Sequence, residues 1–421
     1  VNCIKKIRVQ KELSIDAEVF LEYPTINEMI DQINNKYLEG YKSNELDNKS
    51  KEELEKVFII GNGNKNDDIL VEEKKCFSNT IVSMKKLSKL MEALKEKTVN
   101  GKRKYLYASA GGKNAVQTYV YIKENKVEGI NEGIYYYNQE DNSLYLISNE
   151  NKITENVFPK GYKELFRDAA FAIFFIGAME AIEPVYLDFS ESLVNIDGGY
   201  MQQLLSTKAK ECDINLCIVP DIEFERIKNL FKISDKHCFI STMLGGSMPS
   251  DNDKPLEIDE IAAVQSLCLK YDRISVDNFR SINKKMEYNQ LSRKEVVELA
   301  RKKLHIRRVT PDNKKIKLYE TNIPDSQYIN RSSKRSFLPE GVKFSAFEHL
   351  LSFFNENTIN GNRTRTYHSI GNRYCIEIYI YVKKDGIIGV DEGLYRYVPE
   401  KQQLIFVRTC LHKLKSTQQG L

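Results

Sequence analysis

Two patterns of apolar residues predict helices and strands along this chain. At 83–96, apolar side chains recur at spacings of three and four, as on one face of a helix: Met84, Leu87, Leu90, Met91 and Leu94. At 116–123, every second side chain belongs to one set, Val116, Thr118, Val120 and Ile122, and this alternation predicts a strand. Further strands are predicted at 133–137, 143–148, 172–176, 215–220 and 237–244, and helical segments from Pro159, at 196–206 and at 222–230. Helices and strands in separate blocks favour an α+β fold.

Part of this pattern occurs twice, 260 residues apart. From Phe77 to Tyr137, roughly a third of the positions are identical to those from Phe337 to Tyr397, and no gap is needed. A repeat this long indicates duplication of a domain, because solenoid repeats are about 20–50 residues long. The second copy resembles only the first half of the domain, because nothing after Arg408 matches the region from Pro159 to Gly246.

Each copy keeps a motif that the other has lost. The first copy has a glycine-rich turn, Tyr107-Ala108-Ser109-Ala110-Gly111-Gly112, where the second has Tyr367-His368-Ser369-Ile370-Gly371-Asn372. The second copy has a basic, hydroxyl-rich cluster at 331–335, where the first has Val71-Glu72-Glu73-Lys74-Lys75. The division predicted for the chain is helical residues 1–40, a polar linker at 41–68, a folded domain at 69–250, a charged helical linker at 251–325 and the partial second copy at 326–421.

Composition limits the partners that the chain could bind. Acidic and basic residues nearly cancel, giving a net charge of +4, which argues against a dedicated nucleic-acid binder. No window of about 18 apolar residues is present, so no membrane span is expected. The eight cysteines show no CxxC spacing and predict neither a zinc site nor a disulfide framework. We therefore expect a cytoplasmic protein.

Several motifs in order resemble a known family. They are the glycine-rich turn, Gln117-Thr118-Tyr119, Gly133-Ile134-Tyr135-Tyr136-Tyr137, Ala181-Ile182-Glu183-Pro184-Val185-Tyr186 and Gly199-Tyr200-Met201-Gln202-Gln203. Together they resemble the nitroreductase-like flavin dehydrogenases of the SagB type, and most of all the oxidase domains of nonribosomal peptide synthetases. The resemblance implies a nitroreductase-like fold, a mixed sheet flanked by helices, a bound FMN, and oxidation of a thiazoline or oxazoline to the thiazole or oxazole.

The first forty residues resemble the last helices of a peptidyl carrier domain, through Glu18-Val19-Phe20-Leu21-Glu22-Tyr23-Pro24-Thr25-Ile26. An ordinary helical hairpin is the alternative interpretation. The resemblance implies a peptide substrate tethered to a carrier protein, and other synthetase domains as partners. The nitroreductase-like resemblance implies a shared flavin site, formed by a homodimer or by the two copies within one chain.

The resemblance assigns cofactor-binding residues at three places. In the family, an Arg-x-Ser-x-Arg cluster holds the flavin phosphate. Only Lys75 matches this cluster in the first copy, whereas Arg331, Ser333 and Arg335 match it in the second. The turn of Ser109, Ala110, Gly111 and Gly112 approaches the ring of a neighbouring subunit's flavin, since glycine lets the backbone come close. The strand that contains Cys217 and Ile218 corresponds to the one whose backbone meets the flavin.

Tyr186 is the candidate catalytic base. Oxidation of an azoline removes a proton from carbon, which needs a positioned base. Family members use a tyrosine at this place, and Glu183, three residues earlier, is a candidate helper. A packing aromatic is the alternative for Tyr186. Cys217 is more consistent with a buried apolar cysteine than with a nucleophile.

Two other functions remain open from the sequence. Glu72 and Glu73 would repel a phosphate, so the protein could be a flavin-free pseudo-enzyme or docking scaffold within a synthetase. The third possibility keeps the chemistry and changes the substrate, giving an azoline dehydrogenase of ribosomal peptides. The carrier-like first residues favour the synthetase oxidase over this third function.

Overall fold

A computed structural model describes residues 57–59, 74–260, 262–263, 292, 295, 306–310, 313–320, 336–359, 362–369, 374 and 376–408. The carrier-like segment at 1–40, the basic cluster at 331–335 and most of the charged helical linker at 251–325 lie outside the described residues.

The described helices and strands follow the predicted order closely. The helices are α1 (Met84–Met91), α2 (Tyr162–Asp168), α3 (Glu183–Tyr186), α4 (Ser190–Glu211) and α5 (Phe344–Ser352). The strands of the first copy are β2 (Lys97–Val99), β3 (Lys102–Lys104), β4 (Val116–Ile122), β5 (Gly133–Asn138), β6 (Ser143–Ser148), β7 (Phe171–Ala178), β8 (Ile214–Val219) and β9 (His237–Ser247). The remaining strands are β1 (Val57–Ile59), β10 (Lys315–Lys317), β11 (Asn357–Ile359), β12 (Asn362–Thr364), β13 (Ile378–Val382), β14 (Gly393–Val398) and β15 (Gln403–Arg408).

The first copy is built on a seven-stranded sheet in the order β10-β6-β5-β4-β7-β9-β8. Neighbouring strands in it pair antiparallel. Strand β4 lies in the middle and is buried along its whole length. Successive side chains of β4 point to opposite faces of the sheet, where two separate cores lie. Val120 and Ile122 pack on one face, and Tyr119 and Tyr121 pack on the other. We call these the α4 face, which helix α4 covers, and the α2 face, which helix α2 covers.

One predicted helix is wrong. Residues 222–230 form two short 3₁₀ turns, Phe224–Arg226 and Lys228–Phe231, instead of one α-helix. Their apolar spacing fits either helix type over so few residues, and the second turn ends at Lys232 in the left-handed conformation (φ 48°). The predicted helix at 196–206 is correct but longer in the structure.

The second copy repeats the geometry of the first half of the domain. Strands β11, β12, β14 and β15 begin and end 260 residues after β2, β3, β5 and β6. Individual hydrogen bonds repeat at the same offset. Tyr135 Oη donates to the Asn131 carbonyl, as Tyr395 Oη does to that of Asp391. Tyr121 Oη donates to Glu132, as Tyr381 Oη does to Glu392.

In the second copy, the sheet face equivalent to the α2 face is exposed within the described residues. Tyr119 and Tyr121 are buried beneath α2 and the turns after β8, whereas their equivalents Tyr379 and Tyr381 are 51% and 39% exposed. The reason is that the covering elements belong to the second half of the domain, which the second copy does not repeat before Arg408.

The two sheets exchange their outermost strands. Strand β10 precedes the second copy in sequence but pairs with β6 of the first, with Ile316 opposite Leu144. Strand β1 precedes the first copy but pairs with β15 of the second, with Phe58 opposite Leu404. Leu144 and Leu404 are equivalent positions, so the exchange is symmetrical. Both strands lie in segments that the sequence predicts to be linkers, and each ties one copy to the other.

We expect Leu318→Ala to loosen this exchange. Leu318 is 2% exposed, its amide donates to the Asn142 carbonyl, and it anchors β10 in the core of the first copy. Truncating a buried leucine costs about 2–5 kcal/mol. Hydrogen exchange should therefore accelerate in 143–148 and 313–320. Ile388→Ala, at an exposed site in the second copy, is the control. Unchanged protection of both segments would mean that Leu318 does not hold the strand.

Candidate active site

The glycine-rich turn lies at the end of the sheet where β4 begins. Residues Ala110–Gly112 form one 3₁₀ turn between β3 and β4, with Gly111 and Gly112 in the left-handed region (φ 55° and 64°). Glycine is the residue that adopts this conformation without strain. Gly112 faces open space, since an added Cβ would meet no atom within 4 Å. The turn therefore exposes bare backbone at this position.

Asp197 of α4 holds the turn in place. Its carboxylate accepts a hydrogen bond from Ser109 Oγ at 2.5 Å and from the Ala110 amide at 3.2 Å. Ser109 Oγ in turn accepts from the Asn114 amide at 2.8 Å. Burial raises the pKa of Asp197, although both of its hydrogen bonds act in the opposite direction. From sequence alone, Asp197 is a weaker candidate than Tyr186. An acidic residue among the buried positions of a helix is the signal that could have identified it.

Tyr186 lies against the same turn. A Cβ added at Gly111 would be 2.6 Å from the Tyr186 hydroxyl oxygen, so only glycine permits this approach. Tyr186 is half-buried at the end of α3, where it packs on the core of the α4 face. The structure therefore brings together two elements that the sequence separates by 75 residues, the glycine-rich turn and the candidate base. Glu183, the candidate helper, is 5% exposed at the first position of α3.

Exposed apolar side chains surround Tyr186. Val185, Leu187 and Phe189 project into solvent around it, and Tyr200 is exposed on α4. Leu187 has a positive φ (47°), and the chain turns there between α3 and α4. Clustered apolar exposure of this kind marks surfaces that bind ligands or other proteins.

The other candidate cofactor residues of the first copy lie at a second place. Lys75 Nζ forms an ion pair with Glu260 at 2.6 Å, in which both side chains are largely buried. The Cys217 thiol donates to the Lys74 carbonyl at 3.1 Å, so Lys75 and β8 are neighbours. Cys217 packs in the core of the α2 face, whereas Tyr186 packs on the α4 face. Ile218 points to the α4 face.

The described residues meet the requirements of neither a metal site nor a membrane-spanning helix. No group of three or more metal-binding side chains is present in the described residues. None of the described helices is both long and apolar enough to cross a bilayer.

Comparison with known proteins identifies the fold of the first copy. Residues 74–246 match the model of the Nitroreductase family. A Methanocaldococcus jannaschii protein described as a nitroreductase is 30% identical over 95 residues, which cover 23% of this chain and 43% of that protein. The chain thus spans less than half the length of this curated relative. The predicted nitroreductase-like α+β fold is confirmed.

Solved structures give looser overlays. An Anabaena variabilis protein described as a nitroreductase overlays with a TM-score of 0.47 at 17% identity, covering 77% of this chain and 67% of that one. A chain of the Escherichia coli microcin synthetase McbBCD complex overlays with a TM-score of 0.37 at 13% identity, covering 51% of this chain and 82% of that one. An FMN-dependent nitroreductase of Clostridium difficile overlays with a TM-score of 0.30 at 15% identity, covering 50% of this chain and 96% of that one.

Proposed function

We propose that the nitroreductase domain is the oxidoreductase part of an FMN-dependent azoline oxidase, which converts a thiazoline or oxazoline on a carrier-tethered peptide to the aromatic azole. The observation that supports this most directly is the approach of the Tyr186 hydroxyl to the backbone of Gly111. A titratable hydroxyl beside an uncovered glycine turn is an arrangement suited to moving a proton at a flat, bound ring.

The residues of the first copy fit an FMN ring better than an FMN phosphate. The open backbone at Gly112 can lie against a flat ring. Lys75 does not fit the phosphate as it stands, because Glu260 already neutralises it at 2.6 Å and a dianion would have to displace this carboxylate. We therefore assign phosphate binding to Arg331, Ser333 and Arg335 of the second copy, which lie outside the described residues.

In this proposal the chain's own residues orient the substrate and take up its proton. Bound FMN would supply two-electron oxidation. The Tyr186 oxygen, as phenolate, would receive the proton that leaves the ring carbon and so become the neutral hydroxyl. Asp197 fixes the turn against which the ring lies. The exposed Val185, Leu187 and Phe189 give the apolar ring a surface on which to settle. The carrier-like motif at 18–26 supports a tethered substrate over a ribosomal peptide.

We also propose that the two copies act as a pair within one chain. The exchanged strands β1 and β10 support this, as does a direct bond between the copies, in which Gln203 Nε2 of α4 donates to the Thr366 carbonyl at 2.9 Å. Thr366 immediately precedes Tyr367, the first residue of the segment equivalent to the glycine-rich turn. A partial copy held at this place would occupy the position of a partner subunit.

Titration of the purified full chain with FMN tests the cofactor. We expect saturable binding with a flavin absorbance band, and loss of affinity in Arg331→Gln/Arg335→Gln. Lys75→Gln should change affinity little, because that cation is already paired. If Lys75→Gln abolishes binding and the double variant does not, the phosphate lies at the first copy and our assignment is wrong.

The same titration separates the oxidase from a second candidate, a flavin-free docking scaffold. The Lys75–Glu260 ion pair is the observation that favours the scaffold, because it fills the position where the family binds phosphate. A protein that stays colourless and unchanged in melting temperature at millimolar FMN would support the scaffold and exclude the oxidase.

A further inference from the structure

A polar cavity lies at the same end of the sheet as the glycine-rich turn, but on the α2 face. Its volume is about 750 Å³, within the range of about 300–1,000 Å³ that small-molecule sites occupy. The walls come from the starts of β4 and β9 and from the segment around Arg307. The lining side chains that matter are Gln117, Glu180, Lys232, His237, Arg307 and Arg308. Tyr119, in the core of the α2 face, forms part of the wall, whereas Tyr186 packs on the opposite face.

Arg307 is held rigidly at this cavity by neutral partners. Its guanidinium donates to Tyr119 Oη at 3.0 Å, to the Phe231 carbonyl at 2.6 Å and to the Lys232 carbonyl at 3.0 Å. Its own amide donates to Tyr136 Oη. These bonds fix the position of the positive charge but do not neutralise it. Within the described part of the chain, no carboxylate lies within ion-pair distance of Arg307.

Two further cations increase the positive charge of the cavity. Lys232 and Arg308 line it and are exposed, and neither has a carboxylate partner among the described residues. The one acidic side chain in the wall, Glu180, lies 3.7 Å from Lys236. Three cations therefore face one carboxylate that already has a partner. Burial lowers the pKa of His237. Glu180 opposes this shift, whereas the charges of Arg307 and Lys228 add to it.

We propose that this cavity binds a small ligand that carries phosphate groups. A fixed guanidinium flanked by two exposed cations suits a phosphate, since planar N–H donors form charge-assisted, bidentate bonds to its oxygens. Ser234 and His237 add neutral polar groups at the wall, with Ser234 Oγ 3.0 Å from His237 Nδ1. The site is separate from the one assigned to Tyr186, and its occupation does not depend on oxidase activity.

Calorimetric titration of the full chain with pyrophosphate tests the proposal. Lys232→Gln/Arg308→Gln removes the two exposed cations and leaves the structural bonds of Arg307 intact. We expect pyrophosphate affinity to fall roughly tenfold or more in this variant. Lys102→Gln/Lys160→Gln removes the same charge from two other exposed positions and should bind as the parent does.

Competition identifies the source of the phosphate. If FMN displaces pyrophosphate, the flavin is the phosphorylated ligand. If FMN binds elsewhere or not at all while pyrophosphate still binds, another phosphorylated compound occupies the cavity. No pyrophosphate binding in buffer matched for ionic strength would overturn the proposal. An equal loss in both double variants would overturn it too, because it would reflect net charge alone. Neither result bears on Tyr186.

Discussion

Replacing Tyr186 with phenylalanine should reduce azole formation by about 10²–10⁴-fold, the usual contribution of a positioned acid–base group. The change removes only the hydroxyl oxygen that lies against Gly111, and leaves the ring packed on the core of the α4 face. The hydroxyl has no hydrogen-bond partner in the described residues, so the fold should lose little stability. Flavin affinity should therefore be unchanged.

Mass spectrometry of a carrier-bound azoline peptide measures this result, since each oxidised ring loses two hydrogen atoms. Tyr319→Phe is the matched control, because Tyr319 is an exposed tyrosine beside β10, outside the candidate site. Turnover of the Tyr186→Phe variant at the parental rate would exclude Tyr186 as the base. Equal losses in both variants would point to altered packing instead of lost chemistry.

The sequence predicted the first copy well because its signals are local. The alternation at 116–123 and the spacing at 83–96 each reflect the nearest few residues, and β4 and α1 lie within these stretches. The strand exchange could not be predicted in this way. Strands β1 and β10 have three residues each, too few for a periodicity, and only their pairing partners define them.

In the candidate site too, local motifs could be predicted from sequence and long-range contacts could not. The motif around Tyr186 and the glycine-rich turn could be identified because each is continuous in sequence. Their contact depends on how the chain folds over the end of the sheet. The ion pair between Lys75 and Glu260 joins residues 185 positions apart, so no local pattern predicts that this cation is already neutralised. The charge of the Arg307 cavity depends on long-range placement for the same reason.

A second large effect is expected at Arg365, a buried cation of the second copy. Arg365 is 4% exposed and lies 3.6 Å from Glu356 and 3.2 Å from Glu400. Its guanidinium also donates to Tyr367 Oη and stacks over the Tyr374 ring. Arg365→Leu would leave the largely buried Glu356 carboxylate without its cation. Removing one partner of a buried ion pair costs about 3–5 kcal/mol, so the second copy should unfold at markedly lower denaturant concentration.

The duplication supplies a rescue for this variant. At the equivalent position the first copy has Tyr105, whose hydroxyl donates to Glu96 at 2.7 Å, and Glu96 is the equivalent of Glu356. Arg365→Tyr can satisfy Glu356 in the same way and should recover much of the lost stability. Arg396→Leu breaks the exposed pair with Glu377 and should cost only about 0–1 kcal/mol. Hydrogen exchange during denaturation, followed in 357–369 and 393–408, measures all three variants. If Arg365→Tyr is no more stable than Arg365→Leu, the two copies do not share this interaction, and the buried ion pair of the second copy must be explained without reference to the first.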